Sequence, residues 1–596
     1  MSESVLIGLA AITFSAISAQ WLAWRLKVPS ILILLGAGLL VGPLFHLIDP
    51  DRLLGDLLYP VVSLSVAVIL FEGGLSLRLS ELKEIGGAVR NLISIAVLIT
   101  WVIAAAAAFY VVGLSLPTSI IYGAILVVTG PTVIIPLLQQ VRPVRRVSSL
   151  ARWEGIVNDP VGAILAVLVS EAVLVGGFPQ AFSTGLLAIL KIVFSASVLG
   201  VAAAALLVFL LKNFLIPDHL DEVITLMLVI VSFTAANLIQ KESGLLVVTI
   251  IGIVLANQKF VSVKHIITFK ENLSVLLISG LFIVLAARLQ LADLKQIGWR
   301  ESAFVAILIF FTRPLAIFLS TWKSDLNMRE KTFLAFLAPR GIVAAAVASV
   351  FSFTLVAAGY GDAQRLIPLT FFIIICTVTF YGLLAAPLAR KLNLAKENPQ
   401  GVLFVGAHDW ARELAESLKR EGLEVLMVDT NYANLSASRM RGLATHHGSI
   451  TSEDIASELN LFGIGKLLAL TANDEVNALA SQHFIDLFGR AETYQLSCLG
   501  KRIGNQANLS VDQCGRMLFS PKATFAGLNA LFAEGARLKT TALTREFDFN
   551  AYQAFYRDKA MPLFLITEDK KLQVFTSDRP LYPKPGQILI SVVRGA

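Results

Sequence analysis

The sequence predicts an all-α, polytopic membrane domain of about thirteen transmembrane helices, followed by a smaller cytoplasmic part that mixes strands and helices. Three observations carry this expectation. Of 596 residues, 56% are hydrophobic and only 15% are charged, whereas soluble domains carry about 25% charged residues. Apolar runs of about 20 residues, the length that crosses a bilayer core, recur as far as Arg390. Beyond Arg390 the composition turns ordinary and mixed.

The expected spans fall near 4–24, 28–48, 57–77, 91–112, 117–140, 151–176, 183–211, 221–239, 244–258, 270–290, 301–321, 331–358 and 365–389. The charges between them set the orientation. Odd-numbered connections carry Arg25 and Lys27; Arg78, Lys83 and Arg90; Arg142, Arg145 and Arg146; Lys212; Lys259 and Lys264; Lys323 and Arg329. Arg390, Lys391 and Lys396 come after the last span. Even-numbered connections carry Arg52, Lys241, Lys295 and Arg365. Basic residues stay on the cytoplasmic side, so the N-terminus is expected outside and the C-terminal part in the cytoplasm of a bacterial inner membrane. The same bias accounts for the net charge of +7 without nucleic acid as a partner. The N-terminus reads as lacking a cleavable signal, with Glu3 and no basic residue before the first apolar run. Cys376, Cys498 and Cys514 show no metal-ligand spacing and suit a reducing compartment.

Few spans hold an ionisable residue away from their ends. The exceptions are Glu72, Glu154, Asp159, Arg313 and Arg340. A charged group at mid-bilayer costs about 2.5–3.5 kcal/mol on insertion scales, which makes each one a functional or pairing candidate. Glu154 and Asn158 are four apart and share a helix face. Pro160 removes the N–H that the Ile156 carbonyl would accept and biases Asp159 away from helical geometry. Thr129-Gly130-Pro131-Thr132 breaks the fifth span, and Pro339-Arg340-Gly341 breaks the twelfth. Interrupted helices in the two halves of a membrane domain point to an inverted repeat with a midplane ion site. Arg313 reads as a helix-packing residue and Glu154 as the partner of Arg340. That pairing leaves Asp159 as a buried carboxylate without a dedicated partner.

FEGGL at 71–75, TGPTVI at 129–134, EGIVNDP at 154–160, GLLVVTIIGIVLANQ at 244–258 and APRG at 338–341 resemble the monovalent cation/proton antiporter superfamily, in the branch of NhaP-type antiporters and sodium/proton exchangers. The resemblance covers about residues 5–390. It implies a homodimer whose protomers each hold a six-helix core around two crossing broken helices. It further implies that Asp159 binds the cation or the proton, that Asn158 steadies the site, and that Thr129 offers an oxygen. Glu72 becomes an added ligand or relay, and Glu154 with Arg340 the core ion pair. Gly130 stands where many relatives carry an acid, and Gly155 where several carry a serine, so both remove an oxygen from the neighbourhood.

Sodium and potassium take oxygen ligands. A carboxylate neutralised by one proton or one cation in turn gives electroneutral 1:1 exchange, so Na+ or K+ and H+ are the expected substrates. No GxxxxGK[ST] motif is present, which leaves an ion gradient as the driving force and makes the chain a carrier rather than an enzyme. A ligand-gated potassium efflux system or channel is the alternative. A channel would need a TVGYG-like carbonyl filter, which the sequence lacks.

The chain divides into a membrane domain (1–391), a polar linker (392–400), a dinucleotide-binding type of domain (401–520) and a small β-rich lobe (521–596). GVLFVGAHDWARELAESLKREGLEVLMVDT reads as strand, turn, helix and strand, ending in Asp429 about 20 residues past the turn. With HHGSI and TANDEVN it resembles the TrkA-N or RCK domain that regulates potassium channels and transporters. Gly406 keeps the first glycine of the phosphate loop, but His408 replaces the second and Ala411 the third. A nucleotide held by the 406–408 turn and Asp429 is one expectation, and a domain retained only for oligomerisation is the other.

Overall fold

A computed structural model describes the chain except residues 1, 27, 175–177, 241, 262, 290–296, 396–398, 453–454, 456–458, 498–513, 521–522 and 596. Lys27, Lys241, Lys295, Lys396 and Cys498 therefore lie outside the described residues. The chain forms two compact units, Met1–Ala395 and Lys396–Ala596.

The first unit is helical because a chain in lipid must satisfy its backbone polar groups within each segment. Its helices are α1 (Ser2–Leu26), α2 (Ser30–Leu39), α3 (Pro50–Leu54), α4 (Leu58–Leu75), α5 (Leu82–Leu92), α6 (Ile95–Ala107), α7 (Leu116–Ile125), α8 (Pro131–Val141) and α9 (Arg145–Leu174). Next come α10 (Phe178–Lys212), α11 (Asp221–Ile239), α12 (Ser243–Asn257), α13 (Lys264–Ala287), α14 (Trp299–Ile307), α15 (Arg313–Ser320), α16 (Met328–Ala335), α17 (Ile342–Ala357) and α18 (Leu366–Lys391). Eight helical stretches among the described residues are long and apolar enough to cross a bilayer. Five shorter apolar ones, at Ser30–Leu44, Leu116–Ile125, Ser243–Asn257, Leu273–Ala287 and Ile342–Ala357, fall on the remaining expected spans.

The fifth span is α7 and α8 with an unwound link at 126–130, and the twelfth is α16 and α17 with a link at 336–341. Pro131 opens α8 at a position where its missing N–H removes no helical bond. The two links touch backbone to backbone: the Gly130 N–H donates to the Pro339 carbonyl at 3.2 Å. A Cβ on Gly130 would stand 2.6 Å from the Gly341 Cα, so the crossing requires glycine on both chains. An acid at position 130 would meet this backbone. Gly155 is closed in another way, since a Cβ there would come within 2.8 Å of Ile134 Cδ1.

The expected effect of Pro160 on Asp159 does not occur. Helix α9 runs unbroken from Arg145 to Leu174 with Pro160 inside it. A spanning helix tolerates the lost bond when its neighbours enclose it, and Asp159, Pro160 and Ala163 are all buried.

Helices α4 and α12 pack with almost nothing between their backbones. A Cβ on Gly74 would sit 2.5 Å from the Thr249 carbonyl oxygen, and one on Gly252 would collide with the Phe71 carbonyl. At the ends of these helices Asn257 bonds the chain beyond α4, donating to the Leu77 carbonyl at 2.8 Å and accepting the Leu79 N–H at 2.7 Å.

The second unit contains a six-stranded sheet, with β1 (Gly401–Val405), β2 (Val425–Asp429), β3 (Ala444–His447), β4 (Ile464–Ala469), β5 (Thr493–Gln495) and β6 (Arg516–Met517). Its order is β3-β2-β1-β4-β5-β6 with every pair parallel, the doubly wound dinucleotide-binding arrangement. Helices α19 (Asp409–Arg420), α20 (Tyr432–Met440) and α21 (Asp474–Phe488) connect its strands. All five residues of β1 are buried, as befits a central strand covered on both faces. A terminal lobe holds α22 (Phe525–Ala533), α23 (Phe549–Tyr556) and an antiparallel sheet. Its strands β7 (Arg537–Ala542), β8 (Ala560–Ile566), β9 (Leu572–Val574) and β10 (Ile588–Val593) run in the order β7-β10-β8-β9.

The glycine contact yields an expected outcome. Gly252→Ala forces two backbones apart and should cost about 1–3 kcal/mol. Gly280→Ala, on α13 with nothing within 4 Å of the new methyl, should be neutral or stabilising. Thermal unfolding in detergent reads both, and equal midpoints for the two variants would sink the contact's importance.

Candidate functional site: a buried carboxylate where two broken helices cross

Breaking a helix inside a membrane frees carbonyls that have no water to turn to. The structure caps each break with an arginine. The Arg340 guanidinium donates to the Val128 carbonyl at 2.9 Å and the Val127 carbonyl at 3.3 Å, both at the C-terminal end of α7. The Arg313 guanidinium donates to the Leu334 carbonyl at 3.2 Å and the Leu337 carbonyl at 3.1 Å, at the C-terminal end of α16. A cation at a helix C-terminus also meets the negative end of the helix dipole. The Arg340 N–H is taken by Thr377 Oγ1 of α18 at 3.3 Å.

This division corrects the expected ion pair. Glu154 pairs with Arg313 and not with Arg340. The two groups form a bidentate fork, with Arg313 Nη1 on Glu154 Oε1 and Nη2 on Oε2 at 2.8 Å. Arg340 is already directed at the α7 carbonyls, while Arg313 reaches both the acid and the end of α16. Arg313 is therefore the second member of the core pair, a role that its packing reading missed. The signal was an arginine in an otherwise apolar run, which needs buried acceptors of its own.

Asp159 stands one turn beyond Glu154 on α9 and is fully buried. Neither of its oxygens has a hydrogen-bond partner among the described residues. Arg340 and the Thr129 backbone face it. Thr129 Oγ1, Thr132 Oγ1 and Asn158 Oδ1, on the link, α8 and α9, are buried and likewise unpartnered among the described residues. A buried carboxylate without a bonded donor suits a desolvated alkali cation and can take a proton instead. Glu72, half-buried on α4, lies on a different surface. It lines a cavity of about 600 Å³ with Thr132, Ser76, Ser274, Arg142 and Arg152, and Asp159 is not among the lining residues. The structure thus brings Asp159, Asn158, Thr129 and Arg340 together and sets Glu72 in the adjoining cavity.

In the second unit Gly406 has a φ of 101°, a left-handed conformation that favours glycine. The Asp429 carboxylate already accepts the Ala407 N–H at 2.8 Å, the Asn431 N–H at 2.8 Å and the Asn434 amide at 3.1 Å. The His408 ring packs 4.3 Å from Trp410 and 5.0 Å from Phe525 of the terminal lobe. Burial pushes its pKa down from 6.5 to about 4. Asp409, exposed, occupies the first turn of α19, where a pyrophosphate would need the helix N-terminus free of negative charge. These residues do not fit a dinucleotide's pyrophosphate in the Gly-rich manner.

Interrupted helices crossing at an unbonded carboxylate are the architecture of secondary ion transporters. Residues 11–391 match the family described as sodium/hydrogen exchanger, transmembrane, and the chain belongs to that family. Residues 402–495 match the TrkA-N domain. The chain is 28% identical over 355 residues to Na+/H+ antiporter 1 of Methanocaldococcus jannaschii, covering 57% of this chain and 81% of that one. It is 25% identical over 397 residues to the K+/H+ antiporter NhaP of Alkalimonas amylolytica, covering 64% and 66% respectively. The solved structure of the sodium proton antiporter MjNhaP1 from M. jannaschii at pH 8 superimposes with a TM-score of 0.57 at 25% identity, over 65% of this chain and 99% of that one.

Two outcomes are expected from these contacts. Glu154→Gln strands the Arg313 charge and should destabilise by about 3–5 kcal/mol. Arg313→Met should cost less on the Glu154→Gln background than on the parent, whereas Arg340→Met should cost the same on both. The reverse order in a double-mutant unfolding cycle would restore the original pairing. For His408, the folded pKa lies below the unfolded one, so the unfolded tail alone takes up the proton between pH 6.5 and about 4. Tail stability is full above pH 6.5 and falls as pH drops through that window. Limited proteolysis should show the tail loosening across it, and His408→Phe should flatten the response.

Proposed function

We propose that the chain is a secondary active antiporter exchanging Na+ or K+ for H+ by alternating access, with Asp159 as the group that carries either ion. The observation that carries this reading is the fully buried Asp159 carboxylate, unbonded at both oxygens, beside the crossing of α7–α8 and α16–α17. A bare carboxylate in such surroundings needs neutralising, and a proton and a cation are alternative ways to do it. The Thr129 backbone supplies a further oxygen, and Asn158, next to Asp159 in the chain, sets the site. With Asp159 the carboxylate at the crossing that no arginine pairs among the described residues, one proton exchanges for one cation and the cycle is electroneutral.

The cavity bearing Glu72 is read as the approach from the cytoplasm, with Glu72 as a relay. It opens among the ends of α4, α8 and α9 that border the basic connections at Arg78 and Arg142–Arg146, the inside by charge bias. That bias supports a multi-pass protein of the inner membrane with its N-terminus outside and residues 396–596 in the cytoplasm. The protein is proposed to act as a homodimer in lipid. The TrkA-N match supports a regulatory tail and motivates the alternative of a potassium efflux pathway. The two differ in net current, which a 1:1 exchanger does not pass.

Reconstituted protein given separate sodium and potassium pulses should move protons with at least one cation, and Asp159→Asn should abolish that movement. A chain lacking 400–596 should keep basal exchange with an altered pH response. Cation-driven proton flux surviving in Asp159→Asn would refute the reading.

A further inference from the structure

A second small cavity lies on the other flank of the Glu154–Arg313 pair. It measures about 10 Å³, and Thr100, Thr129, Asn158 and Thr312 border it together with that pair. Three of these side chains present a polar atom that is buried and has no partner among the described residues: Thr129 Oγ1, Asn158 Oδ1 and Thr312 Oγ1. Their residues are 3%, 4% and 1% exposed. They come from separate elements: the unwound link of the fifth span, α9, and the turn that leads into α15.

Thr312 reaches this position through a local irregularity. Residues Leu308–Thr312 form a π turn between α14 and α15, and Pro314 comes next but one without an N–H to continue the ordinary ladder. One extra residue in a turn rotates the adjoining helix by about 100°. Both Thr312 and Arg313 end up buried. Single-turn π bulges of this kind recur at functional sites.

An apolar void of this size stays dry, whereas one bordered by two to four polar groups and large enough for one probe sphere takes a water. An alkali cation is disfavoured here because the guanidinium groups of Arg313 and Arg340 share the cavity wall. We propose that the cavity is a one-water site whose water joins Asn158 to Thr129 and Thr312, and that Thr312 is a positioning residue for the Asn158–Asp159 segment. Such a water makes about three hydrogen bonds and replaces three unsatisfied buried groups. It would hold the Asn158 amide in one orientation next to Asp159. The role assigned to Thr312 rests on Asp159 being the exchange site, as proposed above.

The test uses the full chain in proteoliposomes, with a high-resolution cryo-EM map of the parent. Thr312→Val keeps the side chain's shape and removes the hydroxyl. It should raise the apparent KM for the transported cation by about 3- to 10-fold, one hydrogen bond's worth, with the maximal rate little changed. Thr312→Ser should restore the parent KM. A purely structural residue would instead lower the maximal rate by reducing the amount of folded carrier. The parent map should show one water peak within hydrogen-bond reach of Thr312 Oγ1 and Asn158 Oδ1. An empty cavity in that map, or a parent-like KM in Thr312→Val, overturns the proposal. The map decides it even where Thr312→Val does not fold. Exchange surviving in Asp159→Asn would instead overturn the antiport reading while leaving the water site standing.

Discussion

The constraint on which the membrane unit depends is the fate of the carbonyls freed where α7 and α16 stop short of crossing the bilayer. Each set is taken by a guanidinium carried on a separate span, Arg340 for α7 and Arg313 for α16. The rest of the centre is built around that demand. Two buried cations require a counter-charge, and Glu154 supplies one through a fork on Arg313. The links must then approach closely enough for Arg340 to reach the other chain, which excludes side chains at Gly130 and Gly341.

Asp159 stands apart in this network. Glu154, Arg313 and Arg340 have bonded partners, and the Asp159 carboxylate has none among the described residues. A protein that capped Asp159 with a donor would gain stability and lose the reason for keeping an acid there. Asn158, Thr129 and Thr132 also withhold their side-chain oxygens from the protein. The polar residues at the centre thus fall into two sets: Glu154, Arg313 and Arg340 are used up in holding the breaks, and Asp159, Asn158, Thr129 and Thr132 keep side-chain oxygens unbonded among the described residues.

Much of this was legible in the residues. Length and apolarity located the spans, and Pro131 and Pro339 with their glycines located the breaks. The cost of an acid in an apolar run singled out Asp159. Pairing was not legible. Arg313 and Arg340 both lie in apolar runs, and a linear sequence does not give the direction in which either side chain leaves its helix. The Leu308–Thr312 π turn, which sets that direction for Arg313, has no composition of its own to betray it. Pro160 misled in the opposite sense, because a helix enclosed by neighbours tolerates a lost hydrogen bond that a short peptide would not. In the tail the parallel strand order was implied by the alternation of strands and helices. The packing of His408 under Phe525 depends on a lobe more than a hundred residues away.

The contact of Gly74 with Gly252 has a mechanical meaning. Side chains between helices act as bearings, since they can change rotamer and let one helix slide on another. Backbone laid directly on backbone offers no such play. Helices α4 and α12 therefore resist sliding on each other, and relative motion within the membrane unit is easier where side chains lie between helices. Two missing methyl groups mark where the molecule stands still.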